Sequence, residues 1–246
     1  MSDSPPLDGL RIAIVGAGRL GSALAASLRL AGLRVDGPLP RGTDGRGADV
    51  VLLCVPDDAI ADAARIVRPG ALLGHTSGAT TLEPLAPHEC FSMHPLLAVS
   101  GPDAQFRGSW CAIAGSTERA TTVAAALATR LGMRPFVVAD ADRATYHAAA
   151  SMASNYLVTL EWAAARLGSR AGLGHEQLAP LARAALESWT QHGARGALTG
   201  PIERGDDATV ARQRDAVAAR APELLPLWDA LAAVTRRLAA EPRRPS

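Results

Sequence analysis

Four polar side chains recur at helical spacing within an alanine-rich segment of this 246-residue chain, at His147, Ser151, Ser154 and Asn155. On an ideal helix, at about 100° per residue, they fall within an arc of about 100°. Polar groups on such a stripe need hydrogen-bonding partners where the stripe faces another domain, and a substrate pocket would supply them. We therefore predict that catalytic residues lie on this helix.

The residue types of this stripe indicate different roles in a reaction. His147 can donate a proton near neutral pH, which makes it a candidate general acid, with a positioning or structural role as the alternative. Asn155 is a candidate hydrogen-bond donor to a substrate oxygen, and Ser151 lies one helical turn before it. Every basic residue other than histidine is arginine. The absence of lysine excludes Schiff-base chemistry, a lysine general acid and a phosphate-loop lysine.

Three residues elsewhere in the chain are candidate substrate ligands. Ser77 follows a predicted strand, where open α/β sheets place ligands. A hydrogen bond within the local turn is an equally good alternative role for its hydroxyl. His94 precedes a proline at a later strand end. Arg204 lies in a Gly-Pro/Gly-Asp loop, where it could clamp a substrate carboxylate or pair with Glu203 or Asp206.

A glycine-rich turn near the start of the chain predicts a bound dinucleotide. Gly16, Gly18 and Gly21 form a G-x-G-x-x-G pattern that directly follows one predicted strand and opens a helix. In this context the first glycine permits the tight turn, the second lets the pyrophosphate approach, and the third allows close helix packing. Unpaired N–H groups at the start of the helix would then face the phosphates. The predicted cofactor-binding residues are Gly16, Gly18, Arg19, Leu20, Gly21, Arg41, Thr43, Val55 and Pro56.

The second predicted strand bears on the choice between NAD and NADP. An acidic residue at its end would bind the ribose 2′-hydroxyl of NAD, whereas arginine there accommodates a 2′-phosphate. Asp36 has about the right distance along the sequence but falls in mid-strand, while Arg41 and Thr43 occupy the following turn. We therefore expect NADP, with NAD as the alternative.

The periodicity of the chain predicts two domains. Short apolar strands alternate with helices through residues 8–139, the pattern of a Rossmann-type, doubly wound parallel sheet. Residues 140–240 carry helical patterns alone and predict an all-helical domain for substrate binding and dimerisation. Its first helix should start at Asp140 or Asp142 and run to about Leu167, and Asp206 should cap a later helix. We expect flexible tails at residues 1–7 and 241–246.

Charge and composition argue against several classes of partner. A net charge of +1 gives no basic field for nucleic acid, and no apolar run is long enough to span a membrane. Three scattered cysteines favour a cytoplasmic protein without disulfides, and the His and Cys spacing matches no ordinary zinc site, so we expect no metal. The alanine-rich first helix of the second domain can approach other helices closely, which favours a homodimer through that domain.

Five sequence motifs together resemble one known family. They are Gly16–Gly21, His75–Ala79, Met93–Leu96, His147–Asn155 and Thr199–Asp206. The family consists of Rossmann-like oxidoreductases whose helical C-terminal half was catalogued as a domain of unknown function. It is related to pyrroline-5-carboxylate reductase and the 6-phosphogluconate dehydrogenase-like superfamily, and some members resemble an alternative ketopantoate reductase. One departure is clear: related hydroxyacid dehydrogenases carry a lysine where this chain has Ser151.

The resemblance implies an NADP-dependent reductase that acts on a small carboxylate-bearing ketone or imine, with ketopantoate as the first candidate substrate. A prephenate-type dehydrogenase is an alternative, because that family also carries a His-Pro pair after a similar strand. A cofactor-binding sensor without turnover is a second alternative, from a different functional class. A sensor would not need the polar stripe from His147 to Asn155.

Overall fold

Seven strands form one sheet in the order β2-β1-β3-β4-β5-β6-β7 in the computed structural model, which describes residue 7, residues 9–99, residue 101 and residues 103–242. Most of the two predicted tails lies outside these residues. Leu7, the last residue of the first predicted tail, is buried in the core. The strands are β1 Arg11–Val15, β2 Arg34–Leu39, β3 Val50–Leu53, β4 Leu72–His75, β5 Cys90–Leu96, β6 Trp110–Gly115 and β7 Arg134–Val137.

The first five strands are parallel, and the last two run the other way. β6 pairs antiparallel with β5, and β7 pairs parallel with β6. Parallel neighbours need a crossover, usually through a helix, whereas antiparallel neighbours can be joined directly. The described residues between β5 and β6 contain no helix, so the chain simply turns back. The expected parallel sheet is therefore correct for five strands and wrong for β6 at its junction with β5.

Three helices cover the sheet: α1 Arg19–Leu30, α2 Ile60–Ile66 and α3 Glu118–Arg130. Successive strand residues face opposite sides, so Ile12 and Ile14 join one core cluster while Ala13 and Val15 join the other. The first cluster includes α1 and α3, and the second includes α2. Burial on both faces explains why β3 is a continuous apolar run.

The rest of the chain is helical, as predicted. Its elements are α4 Arg143–Ser151, a π-helical turn Met152–Tyr156, α5 Leu157–Gly168, α6 His175–Ala197, α7 Asp207–Arg220 and α8 Leu225–Ala240. Asp206 caps α7 as expected, because its carboxylate accepts the Thr209 N–H at 3.0 Å. The predicted long helix is interrupted by the π-helical turn. No helix in the described part of the chain is long and apolar enough to cross a membrane.

Two compact units make up the chain, and they meet in sequence at Met152 and Ala153. The predicted boundary at residues 139 and 140 lies before α4. Helix α4 belongs to the first unit because Arg143, its first residue, is buried there against the strand ends.

Candidate functional site

The carboxyl ends of the parallel strands gather most of the predicted binding residues. Strands that run in one direction end at the same edge of the sheet, where open α/β folds bind their ligands. We call this the carboxyl edge. The residues that follow β1 to β5 there include Gly16 after β1, Arg41 and Thr43 after β2, Val55 and Pro56 after β3, and Ser77 after β4, with His94 near the end of β5.

The glycine-rich turn is shaped by two positions that exclude a side chain and one that leaves space. Gly16 has a φ of 117°, and a Cβ there would collide with the Cys54 carbonyl. A Cβ on Gly21 would collide with the Gly16 carbonyl, so only glycine lets α1 pack this close to the turn. Gly18, in contrast, has nothing within 4 Å of a Cβ position. The backbone is therefore constrained on both sides of an open space.

The start of α1 borders that space with unused hydrogen-bond donors. Gly18 is the N-cap and supplies no side-chain acceptor, and the first turn contains no acidic residue. Arg19 is exposed and Leu20 is half-buried. The first N–H groups of a helix have no partner within it and carry partial positive charge, so this end suits a phosphate.

The acidic residue of β2 and the arginine of the turn after it lie at different places. The Asp36 carboxylate lies 3.1 Å from the Arg11 guanidinium, and Arg11 is the first residue of β1 at the opposite edge of the sheet. Asp36 therefore points away from the carboxyl edge. Arg41 is exposed in the turn after β2, where the Thr43 hydroxyl donates to the Pro40 carbonyl at 2.8 Å.

A buried histidine holds the turn after β4. Nδ1 of His75 accepts the Ser77 N–H at 3.2 Å, so Nε2 carries the proton and donates to the Thr81 carbonyl at 3.0 Å. Burial is the main cause that lowers the pKa of His75 to about 4, and the nearby Arg143 charge lowers it further. His75 is therefore a neutral structural group in a fixed tautomer.

The Ser77 hydroxyl is used within the same turn. Its oxygen accepts the N–H groups of Ala79 at 3.2 Å and Thr80 at 3.0 Å, and the hydroxyl donates to the Thr80 hydroxyl at 3.0 Å. These are the local turn bonds that the sequence left open as the alternative. A contact between Ser77 and a substrate remains a prediction.

Sequence reasoning missed Arg143, whose side chain is 1% exposed. Its Nη1 donates to the Ser77 carbonyl at 3.3 Å, Nη2 donates to the Ser92 hydroxyl, and Nε lies 3.1 Å from the Asp140 carboxylate. Asp140 also accepts the Leu82 N–H at 3.0 Å. The guanidinium therefore joins the start of α4 to the turn after β4 and to β5. In sequence it is one of many arginines near helix ends, so no local pattern marks it.

Two histidines and a tyrosine meet beside this arginine. Nδ1 of His94 lies 2.7 Å from the Tyr146 hydroxyl, and the His94 and His147 rings meet edge to face with centroids 6.1 Å apart. Gly78 lies against both imidazoles, since its Cβ would be 2.8 Å from His147 and 2.9 Å from His94. Tyr146 was not predicted. No pattern in the sequence indicates it, because its partner lies 52 positions away.

Burial controls the ionisation of this cluster. It lowers the pKa of His94 to about 4, and His147 and Arg143 lower it further. Burial also raises the pKa of Tyr146 to about 12. Both groups are therefore uncharged near neutral pH.

The polar stripe was predicted for a continuous α-helix, but a π-helical turn interrupts the helix. Hydrogen bonds in a π-helix run from residue i to i+5, so the ideal spacing of about 100° per residue does not hold from Met152 to Tyr156. Ser151 is half-buried at the end of α4, and Asn155 is exposed within the π-helical turn. The common arc of the four polar residues, calculated for an ideal α-helix, therefore stays a prediction. The chemical roles of Ser151 and Asn155 remain predictions.

The predicted substrate arginine lies in the second unit. Arg204 is exposed in the loop before α7. Of its two alternative partners, Glu203 pairs instead with Arg195 at 2.7 Å, and the Asp206 carboxylate caps α7. Arg204 lies close enough for its charge to contribute to lowering the pKa of Asp206, after the hydrogen bonds from Thr209.

Metal ligands do not cluster in the described part of the chain, where no group of three or more His, Cys, Asp or Glu side chains could hold an ion.

Comparison with known proteins identifies both a family and a fold. The family described as Domain of unknown function (DUF2520) matches residues 109–235, just over half of the chain. No curated protein matches the chain. A Bacteroides fragilis protein described as a proposed NADP oxidoreductase is 20% identical, with a TM-score of 0.79 over 94% of this chain and 99% of its own.

Two further solved structures share the architecture. A Thermotoga maritima protein is 24% identical, with a TM-score of 0.78 over 95% of this chain and 100% of its own. A reductive aminase from Aspergillus terreus, in complex with NADPH and ethyl-5-oxohexanoate, is 15% identical, with a TM-score of 0.66 over 95% of both chains. These similarities show the Rossmann-type fold with its helical C-terminal part.

The buried histidines should make stability depend on pH. Because the folded pKa of His75 lies below the value of about 6.5 in the unfolded chain, the unfolded state binds the proton first as the pH falls. The free energy of unfolding should therefore fall by about 2 kcal/mol between pH 7 and pH 5 from His75 alone, and His94 acts in the same direction. Urea titrations at several pH values measure this slope.

His75→Gln should lower stability at pH 7 but flatten the slope, because glutamine does not titrate. His175→Gln is the control, since His175 is an exposed residue at the start of α6. An unchanged slope in His75→Gln would contradict the assignment.

Proposed function

This chain belongs to the family described as Domain of unknown function (DUF2520), and we propose that it is an NADP-dependent oxidoreductase that reduces a small carboxylate-bearing ketone or imine. The observation that carries the proposal is the open space at Gly18, bordered by the unblocked start of α1 at the carboxyl edge. A pyrophosphate needs this combination of close backbone approach and free N–H donors. The NADPH complex of the similar reductive aminase supports the choice of cofactor.

NADP is favoured over NAD by the two charged residues of β2 and its turn. The Asp36 carboxylate pairs with Arg11 toward the other edge of the sheet, so it is turned away from a ribose at the carboxyl edge. Arg41 is exposed in the turn where a 2′-phosphate would lie. Gly16 to Gly21, Arg41, Thr43, Val55 and Pro56 would hold the cofactor. Bound NADPH would supply a hydride to the substrate.

We propose that His147 donates the proton that the reduced substrate receives. Its ring lies beside His94 and Gly78. Asn155 and Ser151 would hydrogen-bond the reacting oxygen or a water next to it. Ser77 and His94 would contact the substrate, and Arg204 would bind its carboxylate. Ketopantoate is the first substrate we would test, because sequence motifs resemble those of an alternative ketopantoate reductase.

We also propose that two copies pair through the second unit and that the protein works in the cytoplasm. Within residues 153–242 the buried apolar side chains are Ala163, Val210, Val217, Ala221 and Ala232, none of them large. Many large apolar side chains of the same unit are exposed, among them Trp162 at 58%, Leu181 at 68% and Trp189 at 55%. Exposed apolar surface on this scale is typical of an interface. Three unpaired cysteines are compatible with the reducing cytoplasm.

NADPH should bind more tightly than NADH, and Arg41→Ala should remove most of that preference. A charge-assisted contact with the 2′-phosphate contributes about 1.5–3 kcal/mol, so the loss should be about 10-fold or more. Fluorescence titration of both cofactors measures it. Arg46→Ala, at another exposed arginine of the same turn, should leave the preference unchanged. Equal affinities of the wild type for the two cofactors would refute the role of Arg41.

Steady NADPH oxidation should occur with a member of a panel of 2-keto acids and cyclic imines. His147→Ala should lower kcat by about 10²–10⁴-fold, because a positioned acid contributes that factor. Arg204→Ala should mainly raise KM, if its contact is equally strong in the ground and transition states. Neither change touches the glycine-rich turn, so NADPH affinity should persist.

His175→Ala is the matched control for the His147 change, at an exposed position at the start of α6. A near-normal kcat in His147→Ala would remove this residue from the mechanism. Intact NADPH binding with no turnover across the whole panel would favour the sensor over the enzyme.

The protein should be a dimer through its second unit at micromolar concentration. Light scattering should then give twice the 25.4 kDa mass of one chain. Leu181→Glu should weaken the dimer, because it places a charge on the exposed apolar surface of α6. Leu30→Glu is the control, since Leu30 is 89% exposed on α1 of the first unit. A wild-type monomer would contradict the proposal.

A further inference from the structure

The best-defined polar contact near the carboxyl edge joins the phenol of Tyr146 to the imidazole of His94. The hydroxyl oxygen lies 2.7 Å from Nδ1, and the rings meet edge to face with centroids 5.7 Å apart. A short hydrogen bond between half-buried groups fixes how the imidazole is oriented.

Helix α4 holds this contact in place. Tyr146 and His147 follow Arg143 by three and four residues, so all three lie on the same face of the helix. The Arg143 guanidinium is bonded to the Ser77 carbonyl and the Ser92 hydroxyl at the strand ends. The Tyr146 ring also packs edge to face against Phe136 of β7, with centroids 6.0 Å apart. The phenol is therefore fixed before any ligand binds.

The surroundings of His94 keep it uncharged. The titratable or charged groups that act on it are His147 and Arg143 of α4, His75 of β4, and Asp57 after β3. Burial lowers the pKa of His94 to about 4, His147 and Arg143 add to this effect, and Asp57 opposes it weakly. A neutral imidazole has one N–H donor and one bare nitrogen acceptor.

The direction of the hydrogen bond at Nδ1 sets which nitrogen of His94 carries the proton, since a phenol can donate or accept. The Tyr146 hydroxyl is protonated near neutral pH, since its pKa is raised to about 12. When it donates to Nδ1, the imidazole proton must be on Nε2. Nε2 has no hydrogen-bond partner in the part of the chain that the structure describes, so this donor is available. His75 shows the same arrangement, with Nδ1 as acceptor of a fixed N–H.

We propose that Tyr146 is a positioning residue that holds His94 in the tautomer with its proton on Nε2, so that His94 donates a hydrogen bond to the carbonyl oxygen of the substrate. The inference rests on the proposed reductase function. A preorganised donor aimed at an oxygen that gains negative charge stabilises the transition state. In this arrangement His94 polarises the carbonyl, and His147, next to it across Gly78, supplies the proton.

A neutral donor also selects between the two substrate classes. A carbonyl oxygen has lone pairs that accept a hydrogen bond from Nε2–H. A protonated imine carries its own N–H and has no lone pair at nitrogen, so the same donor would face a positive group. The Arg143 guanidinium, whose charge acts on both His94 and Tyr146, is turned to protein acceptors. The pair of Tyr146 and His94 therefore favours a ketone over an iminium ion.

Nitrogen NMR of the full-length protein labelled at histidine tests the tautomer without any turnover. His94, assigned by comparison with His94→Gln, should show one tautomer, protonated at Nε2 and neutral at pH 6. In Tyr146→Phe the two tautomers should mix, and the pKa of His94 should rise, because the removed hydrogen bond stabilises the neutral ring. Tyr156→Phe removes the same hydroxyl from an exposed tyrosine and should leave the His94 signals unchanged.

Kinetics tests the role toward the substrate. Tyr146→Phe should lower kcat about 10-fold, corresponding to one hydrogen bond, while leaving NADPH affinity unchanged. Wild-type protein should reduce 2-keto acids faster than cyclic imines. A single Nε2 tautomer, a lower kcat in Tyr146→Phe and a preference for ketones together support the inference.

Three results would overturn it, and they separate this inference from the proposed function. Turnover of ketones with an Nδ1-protonated or charged His94, or with a kcat unaffected by Tyr146→Phe, refutes the positioning role and leaves the reductase standing. Turnover of cyclic imines alone refutes the carbonyl assignment. No turnover of any substrate, with NADPH bound and the tautomer fixed, refutes the reductase and with it any role of His94 toward a substrate.

Discussion

The Arg143 guanidinium lies under the first turn of α4 with almost none of its surface exposed. Removing a charge from water is costly unless its hydrogen bonds are replaced, so a buried guanidinium requires nearby acceptors in fixed positions. Here they are a backbone carbonyl after β4, a hydroxyl on β5 and the carboxylate of Asp140. Each acceptor belongs to a different segment, and the requirement to satisfy all of them sets where α4 begins relative to the sheet. The positions of Tyr146 and His147 follow from that.

The glycine-rich turn is constrained by the backbone rather than by charge. Gly16 and Gly21 are needed because any side chain would overlap a neighbouring carbonyl, whereas Gly18 faces open space. Such constraints are local, and they are written into the residue types themselves. This is why the sequence predicts the turn, the strand before it and the helix after it. The same reasoning explains the Asp206 cap, which depends on one side chain and an N–H three residues later.

Other features depend on contacts between distant residues, which spacing along the chain does not reveal. Tyr146 pairs with His94 across 52 positions, and Arg143 reaches Ser77 across 66. The π-helical turn is also invisible to a helical-wheel argument, because the periodicity that supports the wheel is what the turn breaks. The reversal at β6 was missed because an apolar strand looks the same in either direction. The sequence therefore predicts the elements and the shape of the glycine-rich turn well, and the polar cluster only through two of its members.

Charge is distributed unevenly along the carboxyl edge. At the start of α1 the helix dipole and free N–H groups offer a positive field that needs no ionisable side chain. Beside β4 and β5 the Arg143 guanidinium is bonded to protein acceptors, and burial keeps His75 and His94 neutral. Phosphate groups are thus attracted to the α1 end of the edge. In a reductase this separation would hold the cofactor phosphates at α1. Beside Gly78 it would leave the neutral imidazole of His94 as a hydrogen-bond donor, at a place where a negatively charged side chain would repel an oxygen that gains charge.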